Sequence, residues 1–255
     1  MALSRTAGDL GAQAMILAAG RGQRMRPLTD VTPKPLLAVR GKPLMQWSME
    51  ALARGGFQRL VVNTAWLGEQ ISDFFGPIPA SNGHEALSNL NGVTVRYSHE
   101  GRDFGGALET AGGIARALPL LGEVFWVLAG DVYAPDFAFA QAALDRFAAS
   151  GRLAHLWLVP NPPHNPRGDF GLSADGQALN QADLRHTFST IALYRRALFE
   201  PPWCDIPCGN PQGTVAPLAP LLRAAMDAGQ VSAELYTGAW TDVGTPERLA
   251  ELNAT

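Results

Sequence analysis

Short apolar runs alternate with amphipathic stretches over the first half of the chain. Four runs read as buried strands and lie at 14–19, 59–63, 93–98 and 124–131. Three stretches with apolar residues at helical spacing separate them, at 44–54, 66–75 and 106–118. Strands that alternate with helices favour a mainly parallel sheet covered on both faces. The pattern therefore predicts a Rossmann-like α/β fold.

The second half of the chain has a different pattern. Its strand candidates follow one another without intervening helices and lie at 152–159, 169–176 and 187–195. This indicates a small antiparallel lobe laid against the sheet. A helix at 217–229, two short strands and a helix from Pro246 complete the prediction, with loops at 76–92 and 160–168. We expect one domain over 1–255, with halves of about 14–150 and about 151–255.

Composition limits the partners of the chain. Its formal net charge of −3 and pI near 5.9 leave no basic surface for nucleic acid or for an anionic membrane. No stretch approaches the ~18 apolar residues of a spanning helix, so a cytoplasmic location is expected. Cys204 and Cys208 lack the further ligands of a zinc site and are expected to be free thiols.

A turn rich in glycine and arginine follows the first predicted strand, at the sheet edge where ligands bind in such folds. The sequence "GRGQRM" lacks the third glycine of a dinucleotide fingerprint, and no P-loop motif occurs in the chain. Four cations nevertheless cluster here, namely Arg21, Arg24, Arg26 and Lys34. A solvated basic loop is one interpretation. The glycine and proline restrictions favour the other, a triphosphate site.

The stretch "LAAGRGQRMRPLTDVTPKPLLAVRGKPL" (17–44) resembles the N-terminal signature of the sugar-1-phosphate nucleotidyltransferases. Three further stretches have counterparts in that family: "LETAGGI" (108–114), "LAGD" (128–131) and "WTDVGTPERL" (240–249). Within the family, four stretches resemble the bacterial N-acetylmuramate α-1-phosphate uridylyltransferases: "NTAWLGEQI" (63–71), "HNPRGDFGL" (164–172), "TFSTIALY" (187–194) and "LAPLLRAAMDAGQVSAE" (218–234). The resemblance implies the nucleotide-diphospho-sugar transferase fold, with a nucleotide-binding first half and a sugar-binding second half.

The resemblance also implies a reaction: a sugar 1-phosphate attacks the α-phosphorus of UTP in the recycling of peptidoglycan sugars. Asp131 and Asp242 would hold Mg²⁺, Arg24 the β- and γ-phosphates, and Lys34 the transferred phosphoryl group. A phosphate monoester is mostly dianionic at pH 7, so no general base is required. Two alternatives stay open, a hexose-1-phosphate enzyme that uses GTP, dTTP or UTP, and a non-catalytic nucleotide-sugar sensor.

Further binding residues follow from the same resemblance. The expected nucleotide contacts are Ala18, Ala19, Gly20, Gly22, Ala107 and Gly112. The expected sugar contacts are Asn165, Gly168, Asp169, Thr187 and Glu234. The chain departs from the family where Pro217 stands in place of a lysine before "LAPLL", so Arg167, Arg185 or backbone N–H groups are expected to meet the sugar phosphate. A monomer or simple homodimer is expected.

Overall fold

The computed structural model describes residues 11–76, 90 and 92–254. Its strands are, in chain order, β1 (Ala12–Ala18), β2 (Ala38–Val39), β3 (Lys42–Pro43), β4 (Arg59–Thr64), β5 (Thr94–His99), β6 (Leu121–Ala129), β7 (Val132–Tyr133), β8 (Ala154–Val159), β9 (Gly171–Leu172), β10 (Ala178–Leu179), β11 (Thr187–Arg195), β12 (Val231–Leu235) and β13 (Thr241–Asp242). Its α-helices are α1 (Leu28–Val31), α2 (Leu44–Arg54), α3 (Gly68–Phe75), α4 (Glu100–Phe104), α5 (Glu109–Ala117), α6 (Gln141–Ser150), α7 (Ala219–Asp227) and α8 (Pro246–Ala254). The loop predicted at 76–92 lies almost wholly outside the described residues.

A seven-stranded sheet in the order β12-β8-β11-β6-β1-β4-β5 forms the centre of the molecule. β1 pairs in parallel with both β4 and β6, and β4 pairs in parallel with β5. β12 and β8 are also parallel, whereas β11 runs antiparallel to β6 and β8. The predicted α/β fold with a mainly parallel sheet is therefore confirmed.

The predicted extent of the antiparallel lobe is wrong. The strands expected there at 152–159 and 187–195 are β8 and β11, which lie inside the main sheet. Within β8, Leu156, Trp157 and Leu158 are all buried, so both faces of the strand are covered. A continuous apolar run of this kind is typical of a central strand. Outside the sheet, the segment forms the short β9–β10 hairpin and an antiparallel bridge between Phe170 and His186.

Helices cover both faces of the sheet. On one face, α5 and α7 pack over Met15, Phe125 and Leu156, while α2, α3 and α6 pack over Ile16 and Trp126 on the other. Met15 and Ile16 point to opposite faces because successive side chains alternate along a strand. The helices thus cover the two faces of the sheet, whereas the edge at the carboxyl ends of the strands stays uncovered. Among the described residues, no helix is long and apolar enough to cross a membrane.

Candidate active site

A cavity of about 790 Å³ opens beyond the carboxyl ends of β1, β4 and β6. The residues of its lining that were predicted from the sequence are Ala18, Ala19, Gly20, Gly22, Lys34, Ala107, Asp131 and Asp169. The predicted glycine turn, the end of β6 and part of the predicted sugar-binding half thus share one cavity. Its volume lies in the range of small-molecule sites.

The glycine turn is held by its own side chains. Gly22 has a left-handed backbone with φ of 66°, and its carbonyl accepts a hydrogen bond of 2.7 Å from Thr29 Oγ1. Arg21 donates to the carbonyl of Thr29, pairs with Asp30 at 3.2 Å, and lies 3.4 Å from the centre of the Trp66 ring. Arg21 is therefore a structural cation that stiffens the turn.

Lys34 reaches across the mouth of the turn to Asp131. It begins a single 3₁₀ turn between Pro33 and Leu36, and its side chain is only 12% exposed. Its Nζ donates to Asp131 Oδ2, and the two residues lie 97 positions apart in the chain. The N–H of the neighbouring Gly130 donates to the carbonyl of Leu17 at 2.8 Å. The geometry thus brings together the predicted lysine and the first predicted metal ligand.

The second predicted metal ligand stands in the strand next to Asp131. β13 pairs with β7, and the N–H of Val243 donates to the carbonyl of Asp131 at 2.8 Å. The carboxylate of Asp242, however, lies outside the cavity lining. Its Oδ1 accepts from Arg248 at 2.6 Å and lies 2.9 Å from His164 Nε2. In the described chain, no three His, Cys, Asp or Glu side chains form a metal-binding cluster.

Two predicted nucleotide contacts fall outside the cavity lining. Arg24 is exposed and lies on the 3₁₀ turn Gln23–Met25. Gly112 is buried in α5, where its N–H donates to the carbonyl of Ala216 at 3.1 Å. A side chain at Gly112 would collide with the carbonyl of Thr214. The small residue at this position makes room for the chain's own 214–216 segment.

A buried acid that sequence reasoning missed lines the cavity. Glu100 is fully buried, and its carboxylate accepts hydrogen bonds from Asn63 Nδ2 at 2.6 Å and from the N–H of Leu108 at 2.8 Å. Asn63 in turn accepts from the N–H of Ala18 at 2.9 Å. A Cβ on Gly113 would lie 2.6 Å from Glu100 Oε1. This chain of contacts ties β1 to the loop before α5.

Burial raises the pKa of Glu100 above its ordinary value of 4.5, although the hydrogen bonds from Leu108 and Asn63 act in the opposite direction. Glu100 directly follows β5. Its hydrogen-bond partner Asn63 lies 37 positions away, near the end of β4, so the contact forms only in the folded chain. The sequence signal that could have found it is the glutamate at the carboxyl end of a predicted strand.

Four of the five predicted sugar contacts form one hydrogen-bonded group. Asn165 Nδ2 donates to Asp169 and to Thr187 Oγ1, each at 3.2 Å. Asp169 also accepts from the N–H of Phe188 at 2.8 Å. Gly168 has φ of 63°, and a side chain there would lie 2.8 Å from the backbone of Arg185. Of these residues, Asp169 reaches the cavity lining.

The fifth predicted sugar contact lies elsewhere. Glu234 stands on the edge strand β12, outside the cavity lining, and accepts from Trp157 Nε1. Its contact with His155, at 3.7 Å, lowers the pKa of Glu234. Neither Arg167 nor Arg185, the arginines expected to meet the sugar phosphate, lines the cavity. Arg223 does, at the second-half end of the cavity.

Two lining residues have left-handed backbones that are uncommon for their type. Glu109 has φ of 60° and Thr190 has φ of 63°. Thr190 is β-branched and lies where the pairing of β11 with β8 shifts register. Its Oγ1 and the hydroxyl of Tyr194, also in the lining, are buried without hydrogen-bond partners in the described structure. Strain of this kind is concentrated at functional sites.

Comparisons with known proteins agree with this geometry. The family model described as nucleotidyl transferase matches residues 13–181. The N-acetylmuramate alpha-1-phosphate uridylyltransferase of Neisseria meningitidis serogroup B is 47% identical over 246 residues, covering 95% of this chain and 97% of that protein. A protein of the same name from Caulobacter vibrioides is 29% identical, covering 93% and 97%.

A solved structure shares the fold. A putative glucose-1-phosphate thymidylyltransferase from Bacillus anthracis superposes with a TM-score of 0.73 at 20% identity, covering 95% of this chain and 94% of that one. The family match includes the glycine turn, Lys34 and Asp131, which the structure brings together at one cavity. The chain therefore belongs to the nucleotidyl transferase family and is a nucleotidyltransferase.

Proposed function

We propose that this enzyme transfers the uridylyl group of UTP to N-acetylmuramate α-1-phosphate, forming UDP-N-acetylmuramate and pyrophosphate. The near full-length similarity to the Neisseria uridylyltransferase supports this choice of substrates. The observation that carries the chemistry is the contact of Lys34 with Asp131 beside the glycine turn, inside the cavity. In the cell, we place the reaction in the cytoplasm, in the recycling of peptidoglycan sugars.

The reaction needs charge neutralisation more than proton transfer. A phosphate oxygen of the sugar attacks the α-phosphorus of UTP, the bond from that phosphorus to the β-phosphate oxygen breaks, and pyrophosphate leaves in line. Both reactants are anionic, so their repulsion must be offset. Lys34, which is mostly buried, supplies a fixed positive charge where the two phosphates meet. The glycine turn allows its backbone to approach the triphosphate closely.

The chemistry of the two predicted metal ligands supports a divalent cation. Asp131 directly precedes β7, and Asp242 stands in β13, the strand paired with β7; in the described structure, Asp131 Oδ1 and Asp242 Oδ2 form no hydrogen bond. Carboxylate oxygens are the ligands that Mg²⁺ prefers. We propose that these two residues hold Mg²⁺, which would neutralise phosphate charge. Lys34 and Arg248 already orient the other oxygen of each carboxylate.

A matrix of substrates tests the proposal. Pyrophosphate release is measured with UTP, dTTP, GTP and CTP against the 1-phosphates of N-acetylmuramate, N-acetylglucosamine, glucose and mannose, with and without Mg²⁺. We expect the largest kcat/KM for UTP with N-acetylmuramate α-1-phosphate, and loss of turnover when EDTA removes the metal. A preference for a hexose 1-phosphate, or for another nucleotide, would replace this proposal with the corresponding hexose enzyme.

A further inference from the structure

The proposed sugar substrate carries two anionic groups, and this inference rests on that proposed function. Its phosphate must lie beside Lys34, where the transfer occurs. Its second anion is the carboxylate of the lactyl ether on the sugar ring. A carboxylate that leaves water on binding requires a cation or several N–H donors. The cavity must therefore offer a second positive group away from the transfer point.

Three cations line the described cavity, namely Arg21, Lys34 and Arg223. The first two already face carboxylates, because Arg21 pairs with Asp30 and Lys34 with Asp131. Arg223 instead donates through Nη1 to a neutral acceptor, Asn180 Oδ1, at 2.6 Å. Among the described residues, no carboxylate forms an ion pair with it. The positive charge of Arg223 is therefore available to pair with an anionic group of a ligand.

Arg223 is held in place by contacts remote from the glycine turn. It lies on α7, with its guanidinium carbon 5.3 Å from the centre of the Phe170 ring. Asn180 is fixed in turn by donating to both carboxylate oxygens of Asp227, at 3.0 and 3.1 Å. The hydrogen bond to Asn180 uses one guanidinium nitrogen of Arg223. The other N–H groups of the guanidinium can donate to a planar carboxylate.

The surroundings of Arg223 suit an organic substituent. Phe170, Leu218 and Leu222 are buried side chains that form apolar walls of the same cavity. The hydroxyls of Thr190 and Tyr194 add two polar atoms that are buried and unpaired in the described structure. Tyr194 is fully buried, and burial raises its pKa, so its hydroxyl stays a neutral donor. An unpaired buried hydroxyl is costly unless a ligand pairs with it.

We propose that Arg223 binds the lactyl carboxylate of the sugar phosphate and sets the selectivity of the enzyme for N-acetylmuramate over N-acetylglucosamine. The two sugars differ only by that ether substituent. Arg223 lies on α7 in the second half of the chain, whereas Lys34 belongs to the first half, and both line the same cavity. In this proposal Arg223 binds the lactyl carboxylate and does not bind the sugar phosphate.

The test measures the ratio of kcat/KM for N-acetylmuramate 1-phosphate to that for N-acetylglucosamine 1-phosphate. In Arg223→Gln we expect this ratio to fall about 10- to 100-fold, because a charged hydrogen-bonding partner is lost. Turnover of N-acetylglucosamine 1-phosphate should fall much less than turnover of N-acetylmuramate 1-phosphate, because N-acetylglucosamine lacks the carboxylate that Arg223 would bind. Arg223→Lys should restore part of the ratio. The control Arg146→Gln, an exposed change on α6, should leave the ratio unchanged.

Two results would overturn the inference. Equal losses on both sugar phosphates would assign Arg223 to the shared phosphate or to the fold, and an unchanged ratio would show that it does not touch the substituent. The wild-type enzyme tests the proposed function separately. If it turns over neither sugar phosphate, the proposed function fails, and calorimetric titration of both compounds into wild type and Arg223→Gln decides the inference. Equal affinities of the wild type for the two compounds would then overturn it.

Discussion

The glycine turn and the walls of the cavity are built in different ways. Within the turn, Arg21 pairs with Asp30 and Thr29 bonds to Gly22, so each contact closes a short loop of chain. The walls depend on contacts such as that from Asn63 Nδ2 to the buried carboxylate of Glu100, across 37 positions. The turn is therefore a local motif that carries charge, whereas the walls are tertiary structure that carries stability. Mutations in the two regions should separate these roles.

Lys34→Ala should have the largest effect on catalysis. The variant loses the fixed charge beside Asp131, so we expect kcat/KM to fall by ~10²–10⁴ while the fold persists. The pair lies between an exposed and a fully buried one, because the side chain of Asp131 keeps 31% exposure, so its loss should cost about 1–3 kcal/mol of unfolding free energy. Pyrophosphate release gives kcat/KM, and thermal unfolding of the same preparation gives the change in stability.

The chain offers a matched control for that variant. Its only other lysine, Lys42, pairs with Glu50 at 2.6 Å outside the cavity. Lys42→Ala should retain wild-type kcat/KM. If Lys34→Ala turns over substrate at the wild-type rate, the glycine turn does not contribute to catalysis, and the proposed division of roles between the turn and the cavity walls is wrong.

Gly20→Ala should have a smaller effect on turnover and none of consequence on folding. An added Cβ meets nothing within 4 Å in the structure, and Gly20 does not need a left-handed backbone. The methyl group would instead occupy space that the triphosphate requires. A clash costing ~1–3 kcal/mol corresponds to roughly a 10- to 100-fold loss in kcat/KM. Steady-state kinetics in UTP, together with urea unfolding, would separate the two effects.

Gly106→Ala is the corresponding control. Its added Cβ also meets nothing within 4 Å, but Gly106 does not line the cavity. Both variants should unfold at the wild-type urea midpoint or slightly above it, since alanine reduces the freedom of the unfolded chain. Equal activity of the two variants would show that the open space at Gly20 is solvent and not a phosphate cradle.

The same difference between regions explains what sequence reasoning could predict. The turn and Lys34 are visible because glycine, proline and charge lie close together in the chain, and Asp131 is visible because it ends a predicted apolar strand. Gly112 was predicted to contact the nucleotide, but the space beside it is filled by the 214–216 segment. The sequence around Gly112 gives no sign of this tertiary contact. Arg223 carries no local signal, since one arginine on an amphipathic helix is ordinary. Its importance depends on Asn180, 43 positions away.

Glu100→Gln tests the walls and should have the smallest effect. Because burial raises the pKa of Glu100 in the folded protein above 4.5, the folded state holds the proton more tightly than the unfolded chain does. Wild-type stability from this group is therefore greatest below pH 4.5 and falls as the pH rises through the raised pKa. Glutamine has no such titration. The unfolding free energy of Glu100→Gln should rise relative to wild type over that window.

The substitution should also cause a loss in positioning, which offsets part of that rise in stability. Glutamine replaces one acceptor oxygen with an N–H₂ group, so either Leu108 or Asn63 loses the acceptor that now fixes it. We expect KM for UTP to increase severalfold with kcat nearly unchanged, because the pocket wall shifts while Lys34 and Asp131 stay in place. Urea unfolding from pH 4 to 8 provides the profile, with the exposed Glu123→Gln as control. A parallel profile for wild type and variant, or an unchanged KM, would show that the wall does not depend on this buried charge.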